Sequence, residues 1–202
     1  MKINIGKTEL IHFVGIGGIG MSGLALIMDS LGFKIQGSDK SDNKNLNLLR
    51  KRKIPIYLNH NKQNIKNCTV LVVSSAIKKS NPEYRHAKKL NLPIYKRGEL
   101  LGHIVSLMKN IVVTGSHGKT TTTSILSNIM NYAKLDPTII NGGVLNSIGS
   151  SAKLGKSDWS LVESDESDGS FLQIPFNYSI ITNIDNEPVS YTHLTLPTTL
   201  VV

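Results

Sequence analysis

Short apolar runs of strand length alternate with segments of helical period along most of the chain. Leu10–Val14 is the first run; five glycines follow between Gly15 and Gly23, and Met21–Leu31 then reads as a helix. A second strand is expected over Phe33–Gly37, ending near Asp39, and a surface helix around Leu46, Leu48 and Leu49. Thr69–Val73, continuous and β-branched, has the character of a parallel strand buried on both faces. Pro82 opens a helix to about Leu90, Pro93–Tyr95 is another short strand, and Glu99–Met108 another helix. Such alternation predicts a parallel α/β sheet.

At Asn110 the pattern restarts. Ile111–Thr114 reads as a buried strand, Gly115–Gly118 as a turn and Thr120–Tyr132 as a helix, so a domain boundary is expected near residues 107–110. Further strands are expected at Thr138–Ile140, Trp159–Glu163 and Tyr178–Ile184. Residues 188–202 break the alternation. They are rich in Thr and Leu, and Ser190–Thr198 resembles translated adapter read-through, so this tail is expected to be non-native and takes no part in the fold reading.

Composition narrows the class. With 40% hydrophobic and 18% charged residues over 202 positions, the chain is globular, which excludes a disordered tail, a collagen and a coiled coil. A single cysteine, Cys68, excludes an internal disulfide and fits a reducing, cytoplasmic compartment. The uncharged run Leu10–Met28 has too many glycines for a membrane helix and lacks a signal-peptide cleavage site. The net charge of +9 divides unevenly, +13 over residues 1–110 and −4 over residues 111–202. The basic residues are scattered and not interleaved with aromatics, which argues against a nucleic-acid surface and leaves attraction of an anionic polyphosphate ligand.

Three constellations carry chemistry. Gly15-Ile16-Gly17-Gly18-Ile19-Gly20 stands between a strand and a helix, where a sharp turn lets a pyrophosphate reach the helix N-terminus. Asp39, about twenty residues on, is placed to grip a ribose hydroxyl. This motif admits NAD, FAD and UDP-sugars alike, or a purely structural glycine turn. The second constellation, Gly115-Ser116-His117-Gly118-Lys119-Thr120-Thr121, is a shortened P-loop: Val113 stands where a strict motif has its first glycine. The third, Glu163-Ser164-Asp165-Glu166-Ser167-Asp168, supplies carboxylates of the kind Mg²⁺ requires, with Glu163 the best candidate; without the P-loop a solvated acidic loop would be the preferred reading, and with it the two readings stand level. His117 lies beside the phosphate loop, where solvation and phosphate contact are both open; His12, inside a strand, suits a structural role.

Taken in order, His12–Gly23, Gly37-Ser38-Asp39, Val73-Ser74-Ser75-Ala76-Ile77, Gly115–Thr122 and Glu163–Asp168 resemble the Mur ligases, and among them the branch that adds L-alanine to UDP-N-acetylmuramate. The resemblance implies a Rossmann-like UDP-binding domain over residues 1–108 and the front part of a P-loop α/β ATPase domain over 109–187. It implies ATP and Mg²⁺ as cofactors, and an acyl phosphate on the lactyl carboxylate that the alanine amine attacks. It further implies that Gly15, Ile16, Gly17, Gly18, Ile19, Gly20, Asp39 and Ser74 lie along the UDP, and that Gly115, Ser116, His117, Gly118, Lys119, Thr120 and Thr121 surround ATP. Lys119 would hold the β/γ phosphates and act in catalysis, with Thr120 and Glu163 binding Mg²⁺. Thr182-Asn183-Ile184 matches a family strand after which a metal-binding His is expected; Pro188 stands there instead, and the 202 residues alone are expected not to complete the reaction. A murein-peptide ligase of the same family is the nearest alternative; an NAD-dependent oxidoreductase and a basic nucleic-acid-binding module are alternatives from other classes.

Overall fold

The computed structural model describes residues 5–141, 152–164 and 174–184. The first part of the chain is a five-stranded, wholly parallel sheet. Its strands are β1 (Leu10–Val14), β2 (Lys34–Asp39), β3 (Ile56–Leu58), β4 (Val70–Val73) and β5 (Ile94–Lys96), in the order β3-β2-β1-β4-β5. The chain therefore winds outward from β1 in one direction and returns past it to β4, which puts the topological switch point between β1 and β4.

Helices cover both faces. On one side α1 (Ile19–Ser30), α2 (Lys44–Lys51) and α4 (Arg97–Ser106) bury Phe13, Met21, Ile27, Met28, Leu46, Leu100 and Ile104 in one cluster. On the other, α3 (Pro82–Lys89) and a 3₁₀ turn at Lys62–Ile65 enclose Val14, Ile65, Cys68, Leu71, Val73 and Ala87. Val70–Val73 is buried throughout, as its unbroken apolar run requires. α1 has only Ser22 and Asp29 as polar side chains before its last residue, so its fit depends on being wrapped by neighbours rather than on one apolar stripe.

The second sheet has the order β10-β6-β9-β7-β8, built from β6 (Lys109–Thr114), β7 (Thr138–Asn141), β8 (Ala152–Lys153), β9 (Trp159–Glu163) and β10 (Tyr178–Ile181). It is parallel except for the edge pair β7–β8. α5 (Lys119–Tyr132) follows β6 after the glycine turn. Val112, Ile140 and Val162 join the same buried cluster as α1 and α4.

The expected elements recur with shifted ends, and three were not anticipated. β3 is a half-exposed edge of three residues and β8 has two, too short for any periodicity; the 3₁₀ turn is carried by polar residues. β10 ends at Ile181 instead of Ile184, because Thr182 leaves the strand: its hydroxyl donates to the carbonyl of His117 at 2.6 Å. α4 begins at Arg97, two residues early, where the Glu99 carboxylate accepts the Lys96 N–H at 2.6 Å.

Candidate functional site

The first glycine turn lies at the carboxyl end of β1. Gly15 adopts φ +82°, and the N–H groups of Gly15 and Ile16 donate to the Ser38 carbonyl at 2.8 and 3.0 Å, tying the turn to β2. Gly37 makes this approach possible: a Cβ there would lie 2.7 Å from the Phe13 carbonyl and 2.5 Å from Ile16 Cδ1. The Asp39 carboxylate accepts the Gly17 N–H at 2.8 Å, so the residue expected to grip a ribose is already in the glycine turn. Ser74 packs on the other side, its Cβ 3.4 Å from where a Gly15 Cβ would sit. Gly18 caps α1 and Ile19 is exposed in its first turn, while a Cβ on Gly20 would lie 3.2 Å from the Arg97 side chain. The structure thus gathers Gly15–Gly20, Asp39 and Ser74 at the switch point, where open α/β sheets bind ligands.

The second turn follows β6. Gly115 has φ +129° and Gly118 φ +79°, both in the region that favours glycine. A Cβ on Gly115 would overlap the Thr182 hydroxyl and lie 2.8 Å from the Asn183 carbonyl. A Cβ on Gly118 would meet nothing within 4 Å, so the loop is open on that side. Asn183 Oδ1 accepts the His117 N–H at 2.8 Å. The exposed His117 side chain is held through its backbone, between Thr182 and Asn183.

Lys119, the first residue of α5, turns its ammonium onto its own loop, donating to the carbonyls of Gly115 at 2.5 Å and Ser116 at 3.3 Å. Thr120 donates its hydroxyl to Glu163 Oε1 at 2.9 Å, across to the end of β9, and Thr121 lies exposed in the first turn of α5. Two cis ligands of an octahedral ion with the short bonds Mg²⁺ demands stand about 2.9 Å apart, so these two hard oxygens fit Mg²⁺, with water and phosphate supplying the rest. The helix N-terminus adds amide donors and a positive dipole end for phosphate. Asp165, Glu166, Ser167 and Asp168, and the position of Pro188, lie outside the described residues, as does the tail 188–202.

The family described as Mur ligase family, catalytic domain, matches residues 10–109. UDP-N-acetylmuramate–L-alanine ligase of Pelagibacter ubique is 65% identical over 191 residues, which cover 95% of this chain and 41% of that protein. The chain belongs to the Mur ligase family. The Brucella ovis enzyme of the same name is 46% identical over 95% of the chain and 40% of its own length, so this Mur ligase chain spans about two fifths of the curated relatives it matches. Among solved structures, UDP-N-acetylmuramate-alanine ligase from Thermotoga maritima superposes with a TM-score of 0.75 at 33% identity, over 89% of this chain and 42% of that one. A UDP-N-acetylmuramate:L-alanyl-γ-D-glutamyl-meso-diaminopimelate ligase of Neisseria meningitides gives 0.76 at 26% identity, over 92% and 63%. The oxidoreductase and nucleic-acid readings draw no support from these relatives. Among the described residues no helix is long and apolar enough to cross a membrane.

Several residues at the site carry no sequence signal that singled them out. Thr182 and Asn183 were read only as part of a strand, yet they brace the Gly115–Gly118 turn. His60 and Glu83 lie near the first cradle and belong to no motif; the only hint was a glutamate directly after a helix-opening Pro82.

Proposed function

We propose that this chain carries the substrate-binding and nucleotide-binding parts of an ATP-dependent ligase that joins L-alanine to the lactyl carboxylate of UDP-N-acetylmuramate in the cytoplasm. The observation that carries the reading is the Thr120–Glu163 oxygen pair at the mouth of the Gly115–Gly118 loop, in a chain that also holds a glycine turn closed by Asp39. The names of the relatives at 65% and 46% identity favour L-alanine as the amine.

In this reading residues 1–108 hold the substrate and residues 109–187 the nucleotide. Gly15–Gly20, Asp39 and Ser74 contact the UDP; a pyrophosphate entering the turn takes amides at the start of α1. Gly115–Thr121 surround the triphosphate. Lys119 leaves the carbonyls of Gly115 and Ser116 to meet the β/γ oxygens, and Thr120 and Glu163 hold Mg²⁺, which neutralises phosphate charge as it develops. Phosphorylation converts the carboxylate, a poor acceptor for an amine, into one with a phosphate leaving group.

Calorimetric titration with UDP-N-acetylmuramate, ATP with Mg²⁺, and NAD tests the assignment. The first two are expected to bind independently. Lys119→Ala should abolish the ATP response and leave UDP-N-acetylmuramate binding intact, and Glu163→Gln should weaken ATP binding in Mg²⁺ but not in EDTA. Tight NAD binding without any response to the UDP-sugar overturns the reading.

A further inference from the structure

Beside the first cradle is a buried polar cluster that none of these roles uses. Glu83, the second residue of α3, has no exposed surface. Its carboxylate collects donors from separate elements: the Ser38 hydroxyl of β2 at 2.6 Å, and, from the segment after β3, Asn64 Nδ2 at 2.6 Å, the Asn61 N–H at 3.3 Å and His60 Nδ1 at 3.2 Å. His12 Nε2 of β1 stands 3.6 Å away. Burial alone would raise the Glu83 pKa; the His12 ring and the Ser38 hydroxyl more than offset it, and the group lies below the usual glutamate value as a carboxylate.

The donor count determines which nitrogen of His60 carries hydrogen. Ser38 has one O–H, and it goes to Glu83. Facing His60 Nδ1 are then an acceptor oxygen of Ser38 at 2.9 Å and the Glu83 carboxylate at 3.2 Å, so in the neutral imidazole Nδ1 holds the proton and Nε2 is the acceptor. The other ring nitrogen, Nε2, has no hydrogen-bond partner among the described residues. His60 lines a cavity of about 530 Å³ with Lys40, Asn59, Lys78, Ser80 and Asn81. That cavity opens just past the ends of β2 and β4, next to Asp39.

We propose that Glu83 is a positioning residue for the substrate cradle: it holds His60 Nδ1–H inward and so presents Nε2 to the cavity as an acceptor for a ribose hydroxyl or base N–H of the bound nucleoside diphosphate. This rests on the reading of the first cradle as a UDP-sugar site. An acceptor nitrogen is of no use to a phosphate oxygen, which makes the proposal specific to the nucleoside end of the ligand.

Nitrogen-15 NMR of the chain and calorimetry with UDP and with inorganic pyrophosphate test it. His60 is expected as the Nδ1–H tautomer, with its Nε2 resonance moving on UDP addition. His60→Ala should weaken UDP by about tenfold, the scale of one hydrogen bond, and leave pyrophosphate affinity unchanged. Glu83→Gln should weaken UDP to a similar extent, and the double variant no further than His60→Ala alone. Losses that multiply in the double variant, an Nε2–H tautomer, or equal losses for UDP and pyrophosphate overturn the proposal. If Glu83→Gln does not fold, the wild-type tautomer and the two-ligand comparison for His60→Ala decide it alone. A wild-type chain that binds no UDP removes the substrate reading itself and this proposal with it; UDP binding untouched by His60→Ala removes the proposal only.

Discussion

In the first glycine turn the side chain that closes onto the backbone belongs to the paired strand itself, Asp39 at the end of β2 on the Gly17 N–H; in the second the closing side chains come from just past the paired strand β10, Thr182 and Asn183 engaging both backbone groups of His117. The supporting helices differ in the same sense. α1 is enclosed by α2, α4 and the sheet, whereas α5 turns Thr123, Ser127 and Met130 inward and leaves Ile125, Ile129 and Tyr132 exposed. The same strand, turn and helix plan therefore gives a cradle built into a packed core in one case and one braced by the residues just past the adjacent strand β10 in the other. Glycine serves different ends accordingly. Gly37 makes room for the turn above it, while Gly115 supplies a backbone angle and a close approach.

The comparison makes graded predictions. The first region should lose most from a change in its buried polar cluster: Glu83→Ala strands the donors of Ser38, Asn64 and Asn61, and denaturant unfolding should show a loss of about 3–5 kcal/mol. In the second region Gly115→Ala should cost roughly 2–3 kcal/mol and the ATP response, since strain at φ +129° adds to overlap with Thr182 and Asn183. Gly118→Ala meets open space and only backbone strain, so about 1 kcal/mol is expected by the same measurement; equal losses at the two glycines would mean that the 182–183 brace is unimportant.

Acid should act through the first region. Because the folded Glu83 pKa lies below its unfolded value, its contribution is complete above the usual glutamate value and is lost as pH falls from there through the lower folded value. Unfolding followed across that window should show a shallower acid decline in Glu83→Gln than in the wild type; identical slopes would remove Glu83 from the account. The smallest effect concerns Cys68, whose thiol is pushed up to about 11, chiefly by burial and then by the Glu83 charge. Alkylation of the native chain at neutral pH should be far slower than after denaturation.

Much of the site was legible because its chemistry is local. A glycine run between a strand and a helix, a Gly-Lys-Thr after a β-branched strand and a carboxylate at a strand end each declare themselves within a few residues. Asp39 was legible too, although the structure gives it a backbone partner where a ribose contact was expected. The buried cluster was not. His12, Ser38, His60 and Glu83 stand in four separate stretches; His12 alone was expected as a structural group, and at the other three positions an exposed polar side chain is the ordinary expectation.

Local pattern therefore determined the order of strands and helices, the two glycine turns and the residue types at their mouths, since these follow from periodicity and backbone freedom within short windows. Only the tertiary structure decided that β10 stops where Thr182 turns to the second glycine turn, that Gly37 is required by an approach from β1, and that Glu83 gathers donors from β2 and the segment after β3. Each is a contact between segments distant in the chain, and the energy of burying a polar group depends on whether such a partner arrives.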